Sequence, residues 1–234
     1  MVKEELIERS PLRLLEQSIH GGLGPGNLGM IAARHGTGKT ACLVHLATDQ
    51  LFQDKHVIHV SFAGRTDHIV TWYEDIFREI AKQRHLEDAM NVHDAIIKNR
   101  VVMNFSQDGV TPDQLAASLK AMILDGGFTA DVVIVDGYDF ERGTPEMLAV
   151  FKSLAEQHQL SVWFSASTHR EDTEQDEHGV PTFLTPFVES TAVLIALEPH
   201  DTHLELRLVK DRDHYPDENL HLKLDSATLL IRKE

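Results

Sequence analysis

Lys39 and Thr40 stand directly after Gly36-Thr37-Gly38, in the stretch LGMIAARHGTGKT that runs from Leu28 to Thr40. That order of residue types suits a phosphate. A turn of backbone N–H groups running into a helix N-terminus offers an anion aligned donors and the positive end of the helix dipole. Gly36 and Gly38 let the chain curl close to the ligand, Lys39 is long enough to reach β- and γ-phosphates, and the Thr40 hydroxyl can hold a Mg2+ ion. Arg34, His35, Thr37 and Ala41 complete the cradle. The spacing is that of G-x-x-x-x-G-K-[ST], with Ala33 where the first glycine of that pattern stands.

A carboxylate belongs with this turn. The run DVVIVD, Asp131–Asp136, reads as a buried strand ending in an acid, which suits Asp136 to hold the hydrated Mg2+ of the same site. Other reactive groups are less well placed. Cys42 is the one cysteine; it reads as a small core residue on the helix after the turn, and a single cysteine suits a reducing cytoplasm. Fifteen histidines are scattered along the chain, and the near pair His56 and His59 is an odd number of residues apart, hence on opposite faces of a strand.

The bulk charge excludes other functions. With 22 basic and 37 acidic residues the net charge is −15, and no Lys/Arg run stands out, so sequence-independent binding to nucleic acid is disfavoured. No apolar run approaches the length of a bilayer span, and MVKEELIERSPLR has no signal-peptide core, so the expectation is a cytoplasmic chain without membrane insertion.

The elements that must carry these residues alternate. Ser10-Pro11 predicts a helix over Pro11–Ser18, and Leu28–Ala33 a strand entering the glycine turn. A helix from Gly38 to Phe52 is apolar on most sides and so needs cover beyond a sheet. His56–Phe62 and Arg100–Phe105 read as strands. Between them Thr66–Lys82 is an amphipathic helix with Ile69, Tyr73, Ile76 and Ile80 on one face, and His85–Lys98 has helical character. Thr111-Pro112-Asp113-Gln114 is a capping box for a helix reaching Leu124, and Thr144-Pro145 starts another. Leu160–Ser165 is a fifth strand. Alternation of this kind implies a parallel sheet with helices on both faces. Thr168–Pro181 is polar and acidic and reads as a mobile loop, either plain surface or the lining of a pore or partner site. Leu204, Leu206 and Leu208, then Leu220, Leu222 and Leu224, alternate with polar residues as an antiparallel hairpin does, and Thr228–Arg232 forms a last strand. No linker or repeat divides residues 1–234, so one domain is expected, with a helical segment at 1–20 and the hairpin extension at 202–234.

The succession GGLGPGNLGMIAARHGTGKT, VIHVSF and DVVIVD resembles the RecA-like core of the KaiC, RadA and DnaB-type helicase group, in which a glycine-rich segment with G-x-L precedes the phosphate loop as Gly26-Asn27-Leu28 does here. The resemblance covers nearly the whole chain. It implies an α/β RecA-like P-loop NTPase fold, a mostly parallel sheet flanked by helices with a C-terminal antiparallel meander. It also implies ATP with Mg2+ as ligand, and ATP lying between subunits of a ring or spiral. In that group a glutamate at the end of the second strand activates water; here Phe62-Ala63-Gly64 stands in its place, leaving Asp67 and Asp139 as substitutes. The polar sensor after the fifth strand would fall near Ser167 or Thr168. The group's Lys-x-Arg motif, which reaches a neighbour's γ-phosphate, corresponds to Lys210-Asp211-Arg212. A chain that keeps the binding residues and lacks the glutamate is expected to use ATP for assembly, with copies of itself or a hetero-partner, more than for turnover.

Overall fold

Strand β1 (Asn27–Arg34) sends its side chains alternately into two separate cores: Leu28, Met30 and Ala32 into one, Ile31 and Ala33 into the other. The computed structural model describes residues 2–62, 65–86, 89–106, 109–168 and 174–234. Before β1 come α1 (Val2–Glu8) and α2 (Leu12–Ser18); after it come α3 (Lys39–Phe52), β2 (Val57–Ser61), α4 (Thr66–Gln83), α5 (Ala89–Ile97) and β3 (Arg100–Asn104). Then follow α6 (Pro112–Leu124), β4 (Val132–Asp136), α7 (Pro145–His158), β5 (Ser161–Thr168) and a 3-10 segment (Thr182–Ser190). The chain closes with β6 (Val193–Pro199), β7 (His203–Asp211), β8 (Glu218–Asp225) and β9 (Ile231–Lys233).

All nine strands join one sheet in the order β3-β2-β4-β5-β1-β6-β7-β8-β9. From β3 to β6 the neighbours are parallel, and from β6 to β9 antiparallel. The mostly parallel α/β sheet with an antiparallel C-terminal meander is therefore as the alternation of elements predicts. Helices α1 to α5 cover one face, and α6, α7 and the 3-10 segment cover the other. The apolar α3 is buried on nearly every side because α1, α4 and α5 pack over it against the sheet. On α4 the predicted stripe Ile69, Tyr73, Ile76 and Ile80 is buried. Gly29 of β1 has a packing reason: a Cβ there would come within 2.6 Å of the ring of Trp163, its neighbour in β5.

Local signals mostly act as expected. The capping box on α6 forms both bonds: Gln114 N–H donates to Thr111 Oγ1 at 3.3 Å and Thr111 N–H to Gln114 Oε1 at 2.9 Å. At α2 the helix begins one residue later than expected, and the Ser10 hydroxyl accepts from Leu12 N–H at 3.3 Å. Thr144 precedes α7 without a capping bond of its own to the backbone. Strand β5 runs to Thr168, and β9 starts only at Ile231 because Asp225 holds residues 225–228 in a turn, accepting from Ala227 and Thr228 N–H groups. Two expectations need correction. Of the loop expected over Thr168–Pro181, Thr168 closes β5, residues 169–173 lie outside the described residues, and 174–181 form an ordered turn. There Gln175 bridges Pro181 and the Asp176 carboxylate accepts from His178 and Val180 N–H groups at 2.9 Å. Strand β6 gives no period-two signal in AVLIALEP because it is the hinge between the parallel and antiparallel halves, buried by neighbours on both edges.

Candidate functional site

The carboxyl ends of β1, β2 and β4 make one rim, where Ser61 pairs in register with Asp136. From Arg34 the chain turns over, with the Thr37 N–H donating to the Arg34 carbonyl at 3.3 Å and the Thr37 hydroxyl bonding the same oxygen. Gly36 and Gly38 adopt φ of 77° and 83°, the left-handed region that costs other residues about 1–2 kcal/mol. Gly38 then caps α3. A Cβ on Gly38 would lie 2.5 Å from Leu224 Cδ2 and 3.3 Å from Leu204 Cδ1. The β7–β8 hairpin is thus the wall behind the turn.

Lys39 is buried and folds back on its own turn, donating to the carbonyls of Ala33 at 2.9 Å and Arg34 at 2.8 Å. Burial pushes its ammonium down from 10.5 to about 8, with the Asp136 carboxylate opposing. Across the rim the Thr40 hydroxyl donates to Asp136 Oδ2 at 2.8 Å, joining residues 96 apart in sequence. Gly137 N–H donates to Ser165 Oγ at 2.7 Å and so fixes the chain as it leaves β4. Ser165 is a site residue that sequence reasoning passes over, because a serine within an apolar strand looks like small filler. Chemically, the rim gathers an ammonium, a hydroxyl and a carboxylate around exposed backbone. Two oxygens held together, one of them anionic, are donors that a hard divalent cation takes, usually with waters and phosphate oxygens completing the shell. The residues present fit Mg2+ and a phosphate chain.

The remaining candidates are placed unequally. Arg34, His35 and Gly36 are exposed at the turn, Thr37 is half-buried and Ala41 is buried in α3. Asp67 is exposed at the start of α4, and both its oxygens are taken by Arg65, at 3.0 and 2.6 Å. That guanidinium holds its carboxyl below the usual carboxylate range. Asp139 is exposed and closes its own turn, accepting from Glu141 N–H at 3.1 Å. Ala63 and Gly64 lie outside the described residues. Thr168 offers its carbonyl to His35 N–H at 3.3 Å. His56 and His59 part as their spacing predicts, one against Phe128 and the other against Tyr73.

Lys210 and Arg212 are at the opposite rim, where Lys210 pairs with Leu194 at the beginning of β6. Lys210 Nζ donates to the carbonyls of Val188, at 2.8 Å, and Thr191. Arg212 donates to Ile19 O at 3.1 Å and Gly22 O at 3.0 Å and pairs with Asp211, whose other oxygen lies 2.6 Å from His20 Nδ1. The structure therefore brings Lys39, Thr40 and Asp136 together and leaves Lys210 and Arg212 away from the turn of their own chain.

No protein-family model and no curated protein matches the sequence. Among solved structures the chain is similar to the ATPase domain of a DnaB-like helicase, with a TM-score of 0.69 over 95% of this chain and 89% of that chain, at 14% identity. The fold is RecA-like. In this RecA-like sheet the Lys39–Thr40–Asp136 group stands beyond the carboxyl ends of parallel strands, the place where open α/β sheets bind ligands. Among the described residues no helix is long and apolar enough to cross a membrane.

Proposed function

We propose that this chain binds ATP with Mg2+ at residues 34–41 and Asp136, hydrolyses it weakly or not at all, and acts as a regulatory or scaffold component. The observation that carries the proposal is the 2.8 Å bond between Thr40 and Asp136 beside the buried Lys39. When bound, Mg2+ would neutralise phosphate charge and bridge phosphate oxygens. Lys39 would exchange the carbonyls of Ala33 and Arg34 for phosphate oxygens, Thr40 and Asp136 would hold the cation, and the N–H groups of the turn would orient the chain of phosphates.

Weak hydrolysis is supported by the side chains available to activate water. The step Phe62-Ala63-Gly64 supplies no proton acceptor. Asp67 is neutralised by Arg65, and Asp139 is committed to its own turn. Binding energy is then available for association instead of turnover, through ordinary linkage. The assembly we propose is a homo-oligomeric ring or spiral, or a pairing with a hetero-partner, within the KaiC, RadA and DnaB-type group and with residues 1–234 acting as one domain. Arg212, with 40% of its side chain exposed, is the member of the Lys210/Arg212 pair with a face to offer a neighbour's phosphate; Lys210 is buried. The net charge of −15 argues against nucleic acid.

Calorimetry with ATP and Mg2+ tests the binding step. Saturable heat that Lys39→Ala abolishes and Asp136→Asn makes independent of Mg2+ is expected. Phosphate release of about 1 s⁻¹ or faster, abolished by Lys39→Ala, overturns the scaffold role. That outcome would favour the second reading, an ATPase motor using Asp67 or Asp139 as base, for which the likeness to a helicase ATPase domain speaks.

A further inference from the structure

We propose that a second ligand site lies at the far end of α3, in a cleft of about 200 Å3 that takes a small organic anion, a carboxylate or a phosphate on a compact apolar body. The turn after α1, the second half of α3, the end of α4 and the β9 edge enclose it. Its rim is cationic: Arg9, Arg84, Arg232 and Lys233 line it, in a chain with 22 basic and 37 acidic residues. Arg9 and Arg232 have acidic neighbours, Glu5 at 2.7 Å and Asp225 at 3.7 Å. Among the described residues Arg84 and Lys233 have no carboxylate partner, and Arg84 Nη2 donates to the Arg9 carbonyl at 2.6 Å. Arg232 Nε is buried without a partner among the described residues. The one carboxylate lining the cleft, Asp49, is already held by Arg13 and by Gln53 Nε2 at 2.8 Å, so it does not neutralise the rim.

A buried donor points the same way. His45 is 4% exposed, and its Nδ1 accepts from Ile231 N–H at 2.9 Å. That bond places the ring proton on Nε2, a donor with no partner among the described residues on a ring that lines the cleft. Burial pushes this imidazole down to about 4, so it stays neutral and donates without adding charge. Leu6, Phe52, Ile80 and Leu230 supply apolar surface. Unpaired guanidinium and ammonium groups over an apolar floor match a ligand with a charged head and an apolar body. The volume is below the roughly 300–1,000 Å3 of drug-sized sites, which selects a small one. Along α3, the ten residues from Lys39 to Asp49 span about 15 Å, which separates this cleft from the phosphate-binding turn.

Isothermal titration of the whole chain with phenyl phosphate and, separately, with octanoate tests the site and tells the two head groups apart. One saturable site for at least one probe is expected, unchanged in Lys39→Ala and about tenfold weaker or worse in Arg84→Gln/Lys233→Gln, whose exposed positions leave folding intact. A ring-proton shift of His45 on titration, followed by NMR, is expected with it. Absence of saturable heat with both probes at millimolar concentration overturns the proposal. So does binding lost in Lys39→Ala, which would place the probe at the phosphate turn, or binding unmoved by the double variant.

Discussion

Gly38→Ala and Gly36→Ala separate two reasons why a glycine occupies the phosphate turn. Both residues have positive φ, 83° and 77°, so alanine meets a similar backbone penalty of about 1–2 kcal/mol at either position. Their surroundings differ. Nothing lies within 4 Å of a Cβ built on Gly36, whereas one on Gly38 lies 2.5 Å from Leu224 Cδ2. Leu224 is fully buried and has little room to retreat, so overpacking adds about 1–3 kcal/mol at Gly38 alone. A central value of about 2 kcal/mol corresponds to roughly 4–8 °C of melting midpoint in a chain of this size. Urea unfolding of the two variants, compared at equal slope, measures the difference directly. Leu224→Ala costs about 2–5 kcal/mol by itself through the cavity it leaves. Combined with Gly38→Ala it should cost less than the sum, with a coupling of about 0.5–3 kcal/mol, because the new methyl enters the emptied space. Equal destabilisation by Gly36→Ala and Gly38→Ala, or strict additivity with Leu224→Ala, would refute the packing argument and leave only the backbone term.

Three further outcomes are expected. Phosphate favours charged Lys39, whose ammonium is lowered to about 8 in the free protein. Nucleotide binding should therefore take up a proton above that value, and affinity should fall as pH rises through it, by up to about tenfold per pH unit. Calorimetry at about pH 9 in two buffers of different ionisation heat checks this, and identical apparent heats would exclude it. Thr111→Ala removes the Gln114 capping bond and should cost about 0.5–2 kcal/mol in urea unfolding with unchanged nucleotide binding. Cys42 is buried and its thiol is pushed up to about 12, so a disulfide reagent should label it only in denaturant; fast labelling of the native chain would contradict that burial.

The phosphate turn is readable in the sequence because each residue in it answers a separate local demand: two left-handed positions, one long cation and one hydroxyl. Asp136 is readable because a fully buried parallel strand is an unbroken apolar run, and the acid marks its end. Thr111-Pro112-Asp113-Gln114 is readable for the same local reason. What stays hidden depends on partners distant in sequence. Strand β6 has neighbours of both directions and lacks any alternation. The turn at 174–181 is organised by one carboxylate, Asp176, that composition cannot distinguish from its solvated neighbours. Ser165 counts only because Gly137 lies across the sheet. Lys210 and Arg212 match a motif in type and spacing, yet their bonds run to carbonyls of Val188, Thr191, Ile19 and Gly22, which no periodicity announces.

The β7–β8 hairpin touches both ends of the molecule. At one end Leu204 and Leu224 crowd Gly38; about 27 Å away along β7, Arg212 clasps the carbonyls of Ile19 and Gly22. A stiff crossbar fastened at both ends transmits tension. Pulling the N-terminal helices off the sheet would loosen the turn that Lys39 folds over, and filling that turn would tighten the clasp on residues 19–22.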